Sequence, residues 1–360
     1  ANIFKSSNSV LDIQRYGQAG LTMRTFEVLA SGAILVTTNE NIKKAEVLLE
    51  ALPYMQSFIG KTVVIKFGGN VMDDPDMNIS ILNDILFLKQ IGINIVLVHG
   101  GGPAITEMLE KLQIKSEFIN GNRVTDEKTM EIVEMVLTGK INKELVGSIN
   151  KLGGRAVGIS GKDANLFVAE KKFMIIDGEE IDLGRVGKVK KINTEIIETI
   201  TKSGYIPVIS PVAVDEDGNS YNINADYAAG ELAGALNADK FILLTNVKGV
   251  MRDLHDDSTL YSKLYYNEVY KLINGGIIVG GMLPKVEACM TAINAGVSRS
   301  HILDGRIKHS LLLEIFTDEG IGTMIVSKTR EERLKKGSEL LGILGGNSYI
   351  SYYKTVDNKK

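Results

Sequence analysis

Short β-branched apolar runs alternate with stretches of helical periodicity along most of the chain. The runs 62–66, 93–98, 155–159, 173–177, 206–210, 241–245 and 300–304 predict strands. The stretches 78–90, 103–112, 127–138, 194–203 and 225–237 predict helices between several of them. Such alternation points to an α/β fold with a mainly parallel sheet covered on both faces. Ligands on these sheets bind beyond the carboxyl ends of the strands, and here two strand ends run into glycine. Ahead of the first strand, residues 42–58 place apolar side chains, among them Leu48, Leu49, Leu52 and Met55, at the spacing of an amphipathic helix. Pro53 should kink that helix, because it removes a backbone donor and crowds the preceding turn. Residues 1–40 read as a strand–helix–strand extension too short for a core of its own. Residues 329–360 start charged, drift into Gly, Ser, Tyr and Lys, and read as a poorly ordered tail.

Composition narrows the chemistry. A net charge of −3 over 360 residues, without a long basic run, argues against nucleic acid or an anionic membrane as partner. No apolar stretch approaches a membrane span, and the start lacks the pattern of a leader peptide, so a cytoplasmic location is expected. The single cysteine, Cys289, allows no internal disulfide and no cysteine-rich metal site. The four histidines lack metal-ligand spacing among themselves, so no protein metal site is expected.

The two glycine-ended strands are the strongest chemical signal. Thr62-Val63-Val64-Ile65-Lys66-Phe67-Gly68-Gly69 and Val96-Leu97-Val98-His99-Gly100-Gly101-Gly102-Pro103 each lead into a helical stretch. Glycine lets backbone N–H groups approach an anion, and the following helix adds its positive end. Neither is a familiar nucleotide loop. A Walker A loop ending in Gly60-Lys61-Thr62 would need glycine where Met55 stands, and a dinucleotide fingerprint from Gly100 would need it at Ile105. For either turn alone a tight bend explains the glycines equally well; the pair, with Lys66 at one tip, favours an anion cradle. Arg123, in Asn120-Gly121-Asn122-Arg123-Val124-Thr125, sits in a turn between two helices and is either a solvated surface arginine or a fork for a carboxylate. Asp226 is either a helix cap or an organiser of nearby lysines, with Asn222 then facing substrate. Lys285 stands beside Pro284 at a helix start, where the helix dipole is already positive, and a shared anion would resolve that conflict.

In this order the segments resemble the amino acid kinase family, and within it the arginine-sensitive N-acetyl-L-glutamate kinases of arginine biosynthesis. The carriers are residues 45–54, Lys66-Phe67-Gly68-Gly69-Asn70, the His99–Pro103 loop, Asn120–Thr125, Ser160-Gly161-Lys162-Asp163, Tyr221–Asp226 and Gly281-Met282-Leu283-Pro284-Lys285-Val286. The resemblance implies a three-layer α/β/α sandwich with a mainly parallel central sheet over 60–328, an acylglutamate lobe over about 60–210 and an ATP lobe over about 211–328. It implies transfer of the γ-phosphoryl group of ATP, with Mg2+, to the side-chain carboxylate of N-acetyl-L-glutamate. Lys66 and Lys285 would stabilise the phosphoryl group in flight and Asp226 would hold both lysines. Gly68, Gly69 and Gly101 would line its path, with Gly101 and Gly102 also touching substrate and Arg123 and Asn222 gripping its α-carboxylate end. His99 would be a structural strand-end residue, since a carboxylate nucleophile needs no general base.

The resemblance also implies feedback inhibition by L-arginine, with His301 and Glu314 among its contacts or else only stabilising the last strand and helix. The amphipathic helix within 41–59 resembles the one that joins dimers into a hexamer, a trimer of dimers. Three departures stand out: Asn246 where the family usually has aspartate, Val71 in place of a small residue, and Arg185 with Lys188 where an aromatic and an acid are usual. Residues 20–38 resemble the nucleotide-sugar end of a glycosyltransferase, Glu27 included, but about one helix with flanking strands cannot transfer a sugar.

Overall fold

The computed structural model describes residues 9–12, 34–37, 49, 51–68, 75–119, 121–176, 178–317 and 320–327. The chain divides into two compact units, Ala1–Ile59 and Gly60–Lys360. In the first, β1 (Ser9–Asp12) and β2 (Ile34–Thr37) pair in parallel. Residues 51–58 are helical, and Leu49 and Leu52 are exposed. Residues 42–48, Glu27, Gly69, Val71 and the 329–360 tail lie outside the described residues.

The second unit starts with β3 (Thr62–Phe67), α1 (Pro75–Gln90), β4 (Asn94–His99) and α2 (Gly102–Lys111). A short hairpin follows, β5 (Phe118–Ile119) and β6 (Asn122–Arg123). Then α3 (Glu127–Glu134) runs through a π-helical segment, Met135–Ile141, into α4 (Asn142–Lys151). Next come β7 (Ala156–Ser160), the long hairpin β8 (Phe167–Ile176) and β9 (Glu179–Ile192), α5 (Glu195–Lys202), β10 (Ile206–Ser210), β11 (Val212–Val214) and β12 (Ser220–Asn222). The rest is α6 (Ala225–Ala235), β13 (Lys240–Thr245), β14 (Lys263–Tyr265), α7 (Tyr266–Asn274), α8 (Leu283–Asn294), β15 (Arg299–Asp304), α9 (Ser310–Phe316) and β16 (Thr323–Val326).

Eight strands form one sheet in the order β14-β16-β15-β13-β3-β4-β10-β7. The run from β15 to β7 is parallel, and β16 is antiparallel to β15. Helices cover this mainly parallel central sheet, the three-layer α/β/α sandwich expected. The middle strands read as unbroken Val, Ile and Leu because both their faces are buried; Val64, Ile65, Val96, Leu97, Val208 and Leu243 are at most 1% exposed. β8, β9, β11 and β12 close on themselves as a small separate barrel.

Three local expectations change. Within the run 173–177, Phe173–Ile176 are a strand as expected but belong to β8, which pairs antiparallel with β9 outside the main sheet. Its Phe173 and Ile175 are exposed and charged residues precede it, so it suits a half-covered hairpin rather than a strand buried on both faces. The helix over 127–138 does not stop there, because buried Leu137, Ile141 and Leu145 continue its apolar stripe past Gly139. Residues 121–125 are not a plain inter-helix turn; Arg123 pairs with Phe118 across the β5–β6 hairpin.

Candidate functional site

The two glycine turns meet at the carboxyl ends of adjacent strands β3 and β4. Gly100 N donates to Phe67 O at 3.0 Å. A Cβ on Gly68 would lie 3.1 Å from Gly100 N and 3.2 Å from Lys66 Nζ, so glycine is what lets the turns and the lysine converge. Gly101 is the N-cap of α2 and is packed against Leu137 and Ile141, whose terminal methyls a Cβ there would have to displace. It gives the helix no side-chain cap, which leaves first-turn N–H groups available to an anion.

Beside these turns lies a carboxylate between two lysines. Asp226 Oδ1 is 2.9 Å from Lys66 Nζ, and Oδ2 accepts from Lys285 Nζ at 3.4 Å. Burial pushes the Asp226 carboxyl up, but the charges of Lys66 and Lys285 outweigh it and hold the group below the usual carboxylate range. Asp226 is not the helix cap. Asn224 fills that role, its Oδ1 accepting from Asp226 N at 2.8 Å and Tyr227 N at 3.4 Å. The cap frees the aspartate in the first turn of α6 to face the lysines. Lys285 reaches the same point from the first turn of α8, after Pro284 has set the helix start.

Arg123 faces the same cavity from the β5–β6 hairpin and is 7% exposed. Its guanidinium donates to Gly102 O at 3.1 Å, to Thr106 Oγ1 at 2.7 Å and to Ser116 Oγ, and it lies 4.5 Å from the Phe118 ring centroid. Among the described residues no carboxylate pairs with it. Burial without a counter-ion pushes its pKa down, an arrangement that an anionic ligand would complete. Asn222 lines the cavity from β12, with Nδ2 3.4 Å from Thr125 Oγ1. The cavity holds about 290 Å³ and brings together Lys66, Gly101, Gly102, Arg123, Asn222 and Asp226. Gly69 lies outside the described residues.

His99 is a strut, as expected. It is fully buried, which pushes its pKa down to about 4, and the neutral ring donates from Nδ1 to Gly100 O at 2.9 Å. Its Nε2 then accepts from Asn142 Nδ2 at 3.2 Å. His301 and Glu314 are joined to each other: Nδ1 is 2.6 Å from Oε1, while Oε2 accepts from Ile321 N at 2.8 Å and Gly322 N at 3.3 Å. Asn246 is exposed just beyond β13. Arg185 pairs with Glu127 and Lys188 with Glu170, so the two unusual cations have local partners.

Sequence reading missed Asn224, Phe118 and Asn142. An asparagine just before a helix is a recognisable cap signal. The stacking of Arg123 on Phe118 and the Asn142–His99 contact depend on tertiary placement and leave no local mark.

Comparison with known proteins agrees with this geometry. The model of the amino acid kinase family matches residues 61–304. An acetylglutamate kinase from Petrotoga mobilis is 54% identical over 290 residues, 81% of this chain and 95% of that protein. One from Pelotomaculum thermopropionicum is 56% identical over 288 residues, 79% of this chain and 98% of that protein. Among solved structures, N-acetylglutamate synthase from Neisseria gonorrhoeae with coenzyme A and N-acetyl-glutamate superposes at a TM-score of 0.69 and 26% identity, covering 79% of this chain and 63% of that one. Its complex with coenzyme A and L-arginine gives 0.65 and 25%, covering 79% and 65%.

Proposed function

The chain belongs to the amino acid kinase family, and from that premise we propose that it transfers the γ-phosphoryl group of ATP to the side-chain carboxylate of N-acetyl-L-glutamate. The product is N-acetyl-L-glutamyl 5-phosphate, a step of arginine biosynthesis. The observation that carries the acceptor assignment is Arg123, a buried guanidinium without a carboxylate partner among the described residues, in the same cavity as Lys66 and Asp226. It suits an acceptor with two carboxylates, one to be held and one to react.

The acceptor carboxylate is ionised at neutral pH, so no base has to remove a proton. The obstacle is repulsion between two anions, and catalysis is then positioning plus electrostatic stabilisation. In this reading Arg123 and Asn222 hold the α-carboxylate end, and the amides of Gly101 and of Gly68, beside Lys66 and Gly100, serve the migrating phosphoryl group, with Gly69 the further contact the resemblance implies. Lys66 and Lys285 approach it from two elements while Asp226 keeps them apart and aimed. Magnesium would arrive on the nucleotide phosphates. Both Asp226 oxygens already face lysines, and the described residues contain no cluster of three or more His, Cys, Asp or Glu that could hold a metal.

Feedback inhibition by L-arginine is part of the same proposal, supported by the likeness to a synthase solved with L-arginine. His301 and Glu314 are its expected contacts; both Glu314 oxygens are already engaged, by His301 and by the amides of Ile321 and Gly322, so a guanidinium would have to displace one of these partners. Assembly into a hexamer is proposed on the exposed Leu49 and Leu52 at the helix preceding the kinase unit. A cytoplasmic setting fits this role; no helix among the described residues is long and apolar enough to cross a membrane. A coupled assay of ADP release with and without N-acetyl-L-glutamate tests the activity. Release that ignores the acceptor would sink it, and millimolar arginine that changes neither rate nor oligomer size would remove the regulatory part.

A further inference from the structure

The segment Ser160-Gly161-Lys162-Asp163 has no part in the phosphoryl chemistry, and Lys162 does not line the substrate cavity. Its conformation is nonetheless tightly specified. Asp163 Oδ2 accepts from Ser160 N at 2.6 Å and Ser160 Oγ at 3.0 Å. Gly161 N donates to Ser210 O at 3.1 Å, and a Cβ on Gly161 would come within 2.5 Å of Val212 O. The loop is pressed onto the strands and delivers Lys162 to one place.

There Lys162 closes a ring of three side chains. Its Nζ donates to Glu134 Oε1 at 2.7 Å and to Ser220 Oγ at 2.9 Å, and the Ser220 hydroxyl donates to Glu134 Oε2 at 2.8 Å. Each corner has a consequence for the acceptor site. Glu134 ends α3, just before the π-helical segment whose Leu137 and Ile141 back Gly101. Ser220 opens β12, and Asn222, two residues on, points to the same side of the strand. Just ahead of the α3 N-cap, Thr125 Oγ1 is near Asn222 Nδ2, so β12 meets both the lead-in to this helix and its last residue. A π-helical turn is a high-energy local choice often found near functional sites, and here a charged side chain anchors its first turn.

We propose that Lys162 is a positioning residue for the acceptor: by joining Glu134 to Ser220 it holds Leu137 and Asn222 at the substrate cavity and Ile141 behind Gly101. This rests on the acceptor assignment above, and the test separates the two. Lys162→Met should raise KM for N-acetyl-L-glutamate about tenfold while kcat and KM for ATP stay within about twofold. Lys162→Arg should recover most of that loss, and Ser220→Ala should reproduce part of it without touching the charge pair. Amide hydrogen exchange supplies an arm independent of turnover. In Lys162→Met, exchange should quicken in 135–141 and 220–222 and stay unchanged in β3 and β4. Unchanged exchange in those two segments overturns the proposal whatever the activity. So does a fall in kcat at constant KM, or an equal rise in KM for both substrates. Wild-type protein that never phosphorylates N-acetyl-L-glutamate would remove the acceptor assignment and, with it, the proposal.

Discussion

Asp226 and Glu314 are both buried carboxylates that meet basic side chains, but they are held in opposite ways. The side chain of Asp226 meets Lys66 and Lys285, at 2.9 and 3.4 Å, and Lys66 also lines the open cavity. Each ammonium group has three donors, so both lysines can turn a donor to a ligand while keeping the aspartate. Glu314 instead has one oxygen on His301 and the other on the amides of Ile321 and Gly322. Burial pushes the His301 imidazole down to about 4, aided by Lys240, so at neutral pH that partner is an uncharged ring. Its Nε2 is buried without a partner among the described residues, which costs less for a bare acceptor on a neutral ring than for a charged N–H. A carboxylate that organises cations leaves their charge available to a reacting group. One satisfied by backbone and a neutral ring stitches β15, α9 and the approach to β16 together.

The comparison breaks most visibly at the clamp. Lys66→Ala or Lys285→Ala should lower kcat by about 10²–10³-fold or more, since each removes a charge aimed at the transition state; Lys66→Ala should also cost stability, because it strips buried Asp226 of its nearer cation. Asp226→Asn should also cut kcat by misplacing both lysines. Steady-state kinetics beside urea denaturation checks this. If Glu314→Gln proved as harmful to kcat as Lys285→Ala, the division between the two carboxylates would be wrong.

Arg123 sharpens the same division, because it is the cation without a carboxylate. Arg123→Lys should raise KM for N-acetyl-L-glutamate by roughly 10²-fold, since lysine offers no planar fork, and leave KM for ATP nearly unchanged. Equal changes in both KM values would mean that Arg123 supports the hairpin rather than the acceptor.

Legibility from sequence follows the same line. The clamp was readable because its parts are locally odd: glycines ending apolar strands, and a lysine at a helix start where the dipole disfavours it. The parallel sheet was readable because strands buried on both faces have nowhere to place polar residues. The choice between helix cap and organiser at Asp226 was not, since it turns on whether Asn224 takes the cap, a matter of backbone angles at one residue. The His301–Glu314 pair stayed ambiguous because the two are thirteen positions apart, on different elements, and only packing brings them to 2.6 Å. The strand at 173–177 was readable but its place in the β8–β9 hairpin was not, because a half-exposed apolar run has the same composition as a short buried strand.

Acid should separate the regions by stability rather than rate. His99 and His301 protonate near 6.5 when unfolded and only near about 4 when folded. Between these values the unfolded chain binds more protons, so this part of the stability is complete above 6.5 and is lost as pH falls towards 4. The slope is up to about 1.4 kcal/mol per pH unit for each histidine. Glu314 and Asp226, both held below their ordinary values, add a further loss once pH falls below the usual carboxylate range. Urea midpoints taken from pH 7 to 5 should decline, and His301→Gln should flatten the decline by one histidine's share. A flat wild-type profile would contradict burial of neutral rings.

The smallest expected effect concerns how firmly the clamp itself is held. Tyr227, next to Asp226 on α6, donates its hydroxyl to Glu287 on α8, two residues beyond Lys285. Burial pushes the phenol up and Glu287 adds to this, so the hydroxyl remains a donor throughout the working pH range. The same helices also touch at Gly230, where a Cβ would lie 2.5 Å from Ala288 O. Tyr227→Phe should cost about 1 kcal/mol of stability, the worth of one hydrogen bond. If packing at Gly230 alone fixes α8, kcat should be unchanged. We expect a fall of about two- to fivefold instead, because Lys285 is the more loosely held of the two lysines, at 3.4 Å against 2.9 Å. A small rotation of α8 would therefore reach Lys285 before it disturbed Lys66, and the loss should appear in kcat for the phosphoryl step with KM for N-acetyl-L-glutamate unmoved.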